Sequence, residues 1–90
     1  MKTIHKYAIS NGEVIELPKD AEILHVGLQG DSLFLWAYVD PNAPPEGRRF
    51  SIRATGEYME DTPRKHIQTY MQRSQTYVQS PLVWHVFEEL

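Results

Sequence analysis

The stretch RRFSIRATG, residues 48–56, holds the residue types best suited to binding chemistry. On a β-strand successive side chains point to opposite faces, so Arg49, Ser51 and Arg53 share one face and Phe50, Ile52 and Ala54 the other. Two arginines four positions apart on one strand stand about 13 Å from one another, enough to flank a small ligand with Ser51 between them. A guanidinium presents a planar fork of donors that matches phosphate oxygens. Thr55 continues the same face, and Gly56 after it lets a backbone approach closely. Tyr58, Tyr70 and Tyr77 offer rings on which a base can stack. Lys65 and Arg73 extend the cationic set within the same part of the chain. The competing reading is a solvated strand face whose arginines meet acids on a neighbouring strand. Arg48 shares the face of Phe50 and Ile52, which puts it at the frayed start of the strand or in an interface.

Other chemistry finds less support. His85, in VWHVFEE, is a side chain that can titrate near neutrality. No nucleophile-bearing turn of the Gly-x-Ser-x-Gly type accompanies it, so it reads as a hydrogen-bonded histidine among apolar neighbours. The four histidines, His5, His25, His66 and His85, lie in separate elements without the close pair typical of zinc sites, and no metal is expected. Asp40, Glu46, Glu57, Glu60 and Asp61 fall in or beside loops, where turn formation explains them better than paired-carboxylate catalysis. Trp36 and Trp84 read as core or interface residues. No enzymatic activity and no cofactor are expected.

The elements that must position these groups belong to one domain, residues 1–90. A domain this small buries only about 60–65% of its unfolded surface, and such chains commonly add disulfides, a metal or a partner subunit. There is no cysteine, so self-association is the staple left, and a homo-oligomer is expected. The opening MKTIHKYAIS lacks the apolar run of a signal peptide, and no run approaches the roughly 20 apolar residues that span a bilayer. A cytoplasmic protein with no membrane partner follows as the expectation. The formal charge of −3 argues against bulk nucleic-acid binding. The charge is uneven: residues 48–73 carry six basic and three acidic side chains, net +3, and the remainder three lysines and nine acids, net −6. A locally basic segment on an acidic chain suits a defined anionic ligand.

Short β-rich runs separated by turn residues dominate the chain. Strands are expected over 3–9, 13–17, 23–29, 33–40, 48–55 and 82–88. Asn11-Gly12 predicts a type I′ hairpin between the first two. Pro18 stops the second, KDAE forms a corner, and Gly30-Asp31 turns the third into the fourth. Three prolines in DPNAPPEG, residues 40–47, predict a loop without regular pairing. Residues 57–65 read as a loop. HIQTYMQRSQTYVQ, from His66, fits helical spacing and strand spacing alike. The last run is apolar on both faces, so it is central in a sheet or lies at an oligomer interface. The fold class is all-β or β-dominated, an antiparallel meander or small barrel of six to seven strands. One short helix within 62–79 is the alternative for the sixth element.

MKTIHKY, IELPKDAEILHVGLQ, LWAYVDP, RRFSIRATG and LVWHVFEEL together resemble a family of small proteins encoded by phages and prophages. The likeness covers nearly the whole chain and departs around 64–79, which is longer and more polar than the family pattern. No chemistry is assigned to that family, so it implies no site residues. It implies a phage accessory protein acting in the cytoplasm of an infected bacterium. Two functions then stand as expectations: sequestration of a nucleotide-type immune signal in basic pockets of an oligomer, which counteracts host defence, and inhibition of a host protein by direct binding.

Overall fold

The structure, a computed structural model, describes residues 1–73 and 82–90. It is all-β, with seven strands: β1 (Thr3–Ala8), β2 (Val14–Pro18), β3 (Glu22–Gln29), β4 (Ser32–Val39), β5 (Pro45–Ala54), β6 (Arg64–Gln72) and β7 (Leu82–Glu89). They form two antiparallel sheets, ordered β1-β4-β3 and β2-β5-β7-β6. The expected strand content is met, but the architecture is two facing sheets and not one meander or a closed barrel.

Alternation builds the core. Leu35, Ala37 and Val39 face inward from β4, Val26 from β3, Leu17 from β2, Phe50 from β5 and Val86 from β7, all essentially inaccessible to water. β7 lies between β5 and β6, so its two-sided apolar pattern marks a central strand. Its Val86 face meets the core, while Val83, His85 and Phe87 stand on the outer face.

The sixth element is a strand over Arg64–Gln72, paired along β7 from Arg64↔Glu89 to Gln72↔Leu82. Tertiary pairing decided between the two periodicities. No helix occurs among the described residues of 62–79; Tyr77 and the rest of 74–81 lie outside them. A bulge at Ile67 breaks the register of β6 between His66 and Gln68. Beside it the two sheets are joined: the Gln68 Oε1 accepts a 2.7 Å hydrogen bond from the Val26 backbone N–H of β3.

Two turn assignments differ from the sequence reading. Asn11-Gly12 does not close a β1–β2 hairpin, because β1 pairs with β4 and β2 with β5. Gly12 alone has positive φ, 80°, and the Glu13 N–H donates to the Ser10 carbonyl at 3.3 Å. That is the type II pattern, and here it carries the chain from one sheet to the other. Pro45 does not stay in a loop: it opens β5 opposite Pro18, the last residue of β2. The pairing survives because β2 is an edge strand, where a missing N–H interrupts no second ladder.

Arg48 is not at a frayed strand start. It is the fourth residue of β5, and its Nε and Nη2 donate to the two Glu88 carboxylate oxygens at 2.6 and 2.8 Å. Its Nη1 donates to the Ala21 carbonyl at 2.6 Å, at the corner where the chain leaves β2 for β3.

Candidate functional site

The outward face of β5 forms the floor of a cleft of about 470 Å³. Strand alternation brings Arg49, Ser51 and Arg53 to it together, as their spacing predicts. Beyond the end of β2 the edge of β5 would be bare. Asn11 and Gly12 cover it instead: the Gly12 N–H donates to the Phe50 carbonyl at 2.8 Å, and the Asn11 Oδ1 accepts from the Ile52 N–H at 2.8 Å. That is how a turn forty residues away in sequence comes to line the cleft. The opposite wall is the loop after β5, through Tyr58, Met59, Glu60 and Thr62. Arg64 holds this loop, its Nη1 donating to the Glu60 carbonyl at 2.7 Å and its Nη2 to the Thr62 hydroxyl at 2.6 Å. The Leu90 N–H donates to the Pro63 carbonyl at 3.1 Å and ties the loop's end to the chain's last residue.

The charges inside are mixed. Arg49, Arg53 and Arg64 line the cleft together with Glu60 and Glu89. The buried Ser51 hydroxyl donates to the Glu89 Oε1 at 2.7 Å, and the Arg64 Nε stands 3.6 Å from the same oxygen. The Ser51 hydrogen bond holds the Glu89 carboxyl below the usual carboxylate range, with Arg64 and Arg53 adding to it against partial burial. Arg53 donates from Nη1 to the Glu57 Oε2 at 2.8 Å, and this contact is the main cause of a lowered Glu57 pKa; the Ala54 backbone N–H adds to it. The Nε atoms of Arg53 and Arg64 are buried without a hydrogen-bond acceptor among the described residues. Arg49, exposed on the β5 floor, has no ion pair among the described residues and faces Val14 and Glu89 across its two neighbouring strands.

The chain belongs to the DUF7352 family. The family model, a domain of unknown function, matches residues 1–90. No curated protein and no solved structure matches it.

In this DUF7352 chain the remaining site candidates lie apart from the cleft, except Tyr58, which stands at its rim almost fully exposed. Thr55 turns to His85 and lines an apolar hollow of about 420 Å³ with Leu82, Val83 and Trp84. Lys65 lines a hollow of about 310 Å³ on the inner side of β6, beside Arg48 and Glu88. Tyr70 packs against the core, and burial raises its hydroxyl pKa. Arg73 is exposed just past the end of β6. The sequence reading missed Arg64, Glu89, Asn11 and Gly12. Arg64 and Glu89 are directly opposite in the β6–β7 ladder, a pairing that no local pattern reveals.

His85 is hydrogen-bonded, as expected, but among polar groups on the outer sheet face and not in the core. Its Nε2 meets the Thr55 hydroxyl at 2.8 Å and its Nδ1 the Thr69 hydroxyl at 2.9 Å; Thr69 also meets the His66 Nε2 at 2.9 Å. These groups form a polar row across the outer face of β5, β7 and β6. Of the two readings for Trp36, core or interface, the core one does not hold. Trp36 stands on the outer face of β4, half-buried, with its ring 5.5 Å from that of His25.

Proposed function

We propose that this protein is a non-enzymatic binding module that holds a phosphorylated small molecule, of nucleotide type, in the cleft beside β5. The observation that carries this reading is Arg49, a guanidinium on the cleft floor without an ion pair among the described residues, while Arg53 and Arg64 are already engaged around it. A ligand phosphate at Arg49 takes up a vacant donor fork. Glu60 and Glu89 would repel a bare polyanion, but they accept hydrogen bonds from hydroxyl or amino groups. A nucleotide has both kinds of group, and Tyr58 at the rim supplies a ring for its base. The non-enzymatic reading is supported by Glu89: a carboxylate held below its ordinary range is a poor base for the Ser51 hydroxyl it accepts from.

The likeness to small phage-encoded proteins gives the binding a setting, the stoichiometric capture of a nucleotide immune signal in an infected bacterium. The cleft forms within one chain. Self-association, still part of the proposal, rests on the small core and on β1, an exposed edge strand with an unbroken register.

A thermal-shift screen of the pure protein against cyclic and linear nucleotides tests the reading. A ligand at 100 times its dissociation constant adds about 2.7 kcal/mol of stability, a clear rise in melting temperature for a chain of this size. A panel with no stabilising nucleotide would remove the proposal and leave inhibition of a host protein as the better account.

A further inference from the structure

The sheet on the far side of the core carries a second surface that the cleft does not use. On β4, Phe34, Trp36 and Tyr38 alternate with the buried Leu35, Ala37 and Val39, so all three rings stand on the outward face. An outward face of a small sheet is ordinarily polar. Here the central strand puts three aromatic side chains in a row. Lys6 of β1 and Lys2, just before β1, lie over the outer two rings, and Glu22 of β3 pairs opposite Tyr38. The Lys6 Nζ is 4.6 Å from the centroid of the Phe34 ring, and the Lys2 Nζ 5.4 Å from that of Tyr38.

The middle of the row is held in place. His25, opposite Trp36 in the β3–β4 register, has its Nδ1 3.2 Å from the Gln68 Nε2, and Gln68 is itself fixed by the Val26 N–H. The His25 ring occupies the space beside Gly27, where an added Cβ would stand 2.8 Å from its Nε2. Lys6 is steadied by a 2.6 Å hydrogen bond to the Gln29 Oε1.

We propose that this face binds single-stranded nucleic acid, with bases stacked on Phe34, Trp36 and Tyr38 and phosphates paired with Lys2 and Lys6. Charge and ring chemistry select this occupant together. An acidic peptide gains from the lysines but has no use for three ring faces in line. A neutral sugar stacks on rings but gains nothing from the lysines. A nucleotide strand uses both, because the ammonium groups now resting on the rings move to the phosphates as bases take their place. The two lysines limit the contact to a short segment, consistent with an overall charge of −3.

The test is fluorescence anisotropy of a labelled short oligothymidylate, titrated with the protein at low salt. Saturable binding is expected, with log K falling against log salt with a slope of about −1.4, as two neutralised phosphates on a single strand require. Tyr38→Leu and Phe34→Leu should each weaken binding by about 5- to 150-fold, the equivalent of one lost stacking contact. Circular dichroism melts check that each variant is folded, and the exposed Tyr38 supplies a reading even if the Phe34 variant unfolds. Lys6→Gln should lower affinity and flatten the salt slope. Arg49→Gln, in the cleft on the other sheet, should leave oligonucleotide binding unchanged, which keeps this proposal separate from the nucleotide reading. No saturable binding at low salt overturns the proposal. So does displacement of the oligonucleotide by polyglutamate at equal charge, or leucine variants that bind as tightly as the parent.

Discussion

Arg48 and Glu88 form a two-point ion pair on the inner side of the four-stranded sheet, with guanidinium Nε and Nη2 on the two carboxylate oxygens at 2.6 and 2.8 Å. Both side chains are largely shielded from water, at 15% and 12% exposure. The Glu88 hydrogen bond is the main cause of a raised Arg48 pKa, opposing the cost of burial. The third bond of Arg48, to the Ala21 carbonyl, reaches the corner that joins the two sheets, so one side chain ties β5, β7 and the crossover together.

Removing one partner strands the other charge. Glu88→Gln or Arg48→Met is expected to cost about 3 kcal/mol, the lower end for a broken buried pair because some water access remains. The double replacement Arg48→Met with Glu88→Leu should recover much of that loss. Urea unfolding of the three variants measures both values. A single variant within about 0.5 kcal/mol of the parent would show that the pair contributes little to stability.

Glu89 links the cleft to pH. Its carboxyl is held below the ordinary range, first by the Ser51 hydroxyl and then by Arg64 and Arg53. A folded pKa below the unfolded one, about 4.3 for glutamate, stabilises the fold above that pH. The contribution is lost as pH falls through the folded value. Ser51→Ala should therefore raise the Glu89 pKa and reduce the steepness with which stability falls below about pH 4.3. Carbon-detected NMR titration of the Glu89 carboxyl reads the shift directly. An unchanged titration in the variant would assign the effect to the arginines alone.

His85 bridges Thr69 of β6 and Thr55, the residue just after β5. His85→Ala leaves the Thr55 and Thr69 hydroxyls without that partner and should lower stability by about 1–2 kcal/mol. Thr69→Val removes one of the two contacts and should cost less. If chemical denaturation shows no loss in either, the polar row is only a solvated surface.

Arg49 separates a wet strand from a ligand fork. Arg49→Gln should change stability by about 0.5 kcal/mol or less, as exposed substitutions do. It should weaken a nucleotide found in the thermal screen by roughly 10–150-fold, the equivalent of one charge-assisted contact of about 1.5–3 kcal/mol. Arg53→Gln should bind more weakly too, and Arg53→Lys should recover only part, because a point charge lacks the bidentate fork. Calorimetric titration across the set decides, and equal affinities would make the arginines solvent-facing residues.

Sedimentation at micromolar concentration tests self-association. A species heavier than the 10.5 kDa chain is expected. Ile4→Lys, a charge on the exposed β1 edge, should shift it toward the monomer. A parent that sediments only as the monomer would confine ligand capture to single chains.

Local chemistry made much of the fold legible. Glycine and proline punctuated the strands, and the Gly30-Asp31 turn joins β3 to β4 as read, with register reaching Gln29↔Ser32. The period of two placed Arg49, Ser51 and Arg53 on one face, and Phe50 opposite them in the core. These features follow from backbone geometry within a few residues, so no distant contact is needed to specify them. Tertiary structure decided what pairing decides. Residues from His66 suited a helix or a strand until β7 supplied a ladder, and that ladder also drew Arg64 and Lys65 out of the expected loop. Asn11-Gly12 suited a hairpin until β1 and β2 took partners in different sheets. Arg48 joined the interior because Glu88, forty residues on, neutralises it there, and Trp36 stands outside because alternation on β4 gives the core to Leu35 and Ala37. Arg64 and Glu89 reached the cleft the same way, as cross-strand neighbours. The physical reason is common to all of these: a strand satisfies only half of its hydrogen bonds and one of its faces with any single neighbour, and which neighbours it takes depends on the whole chain.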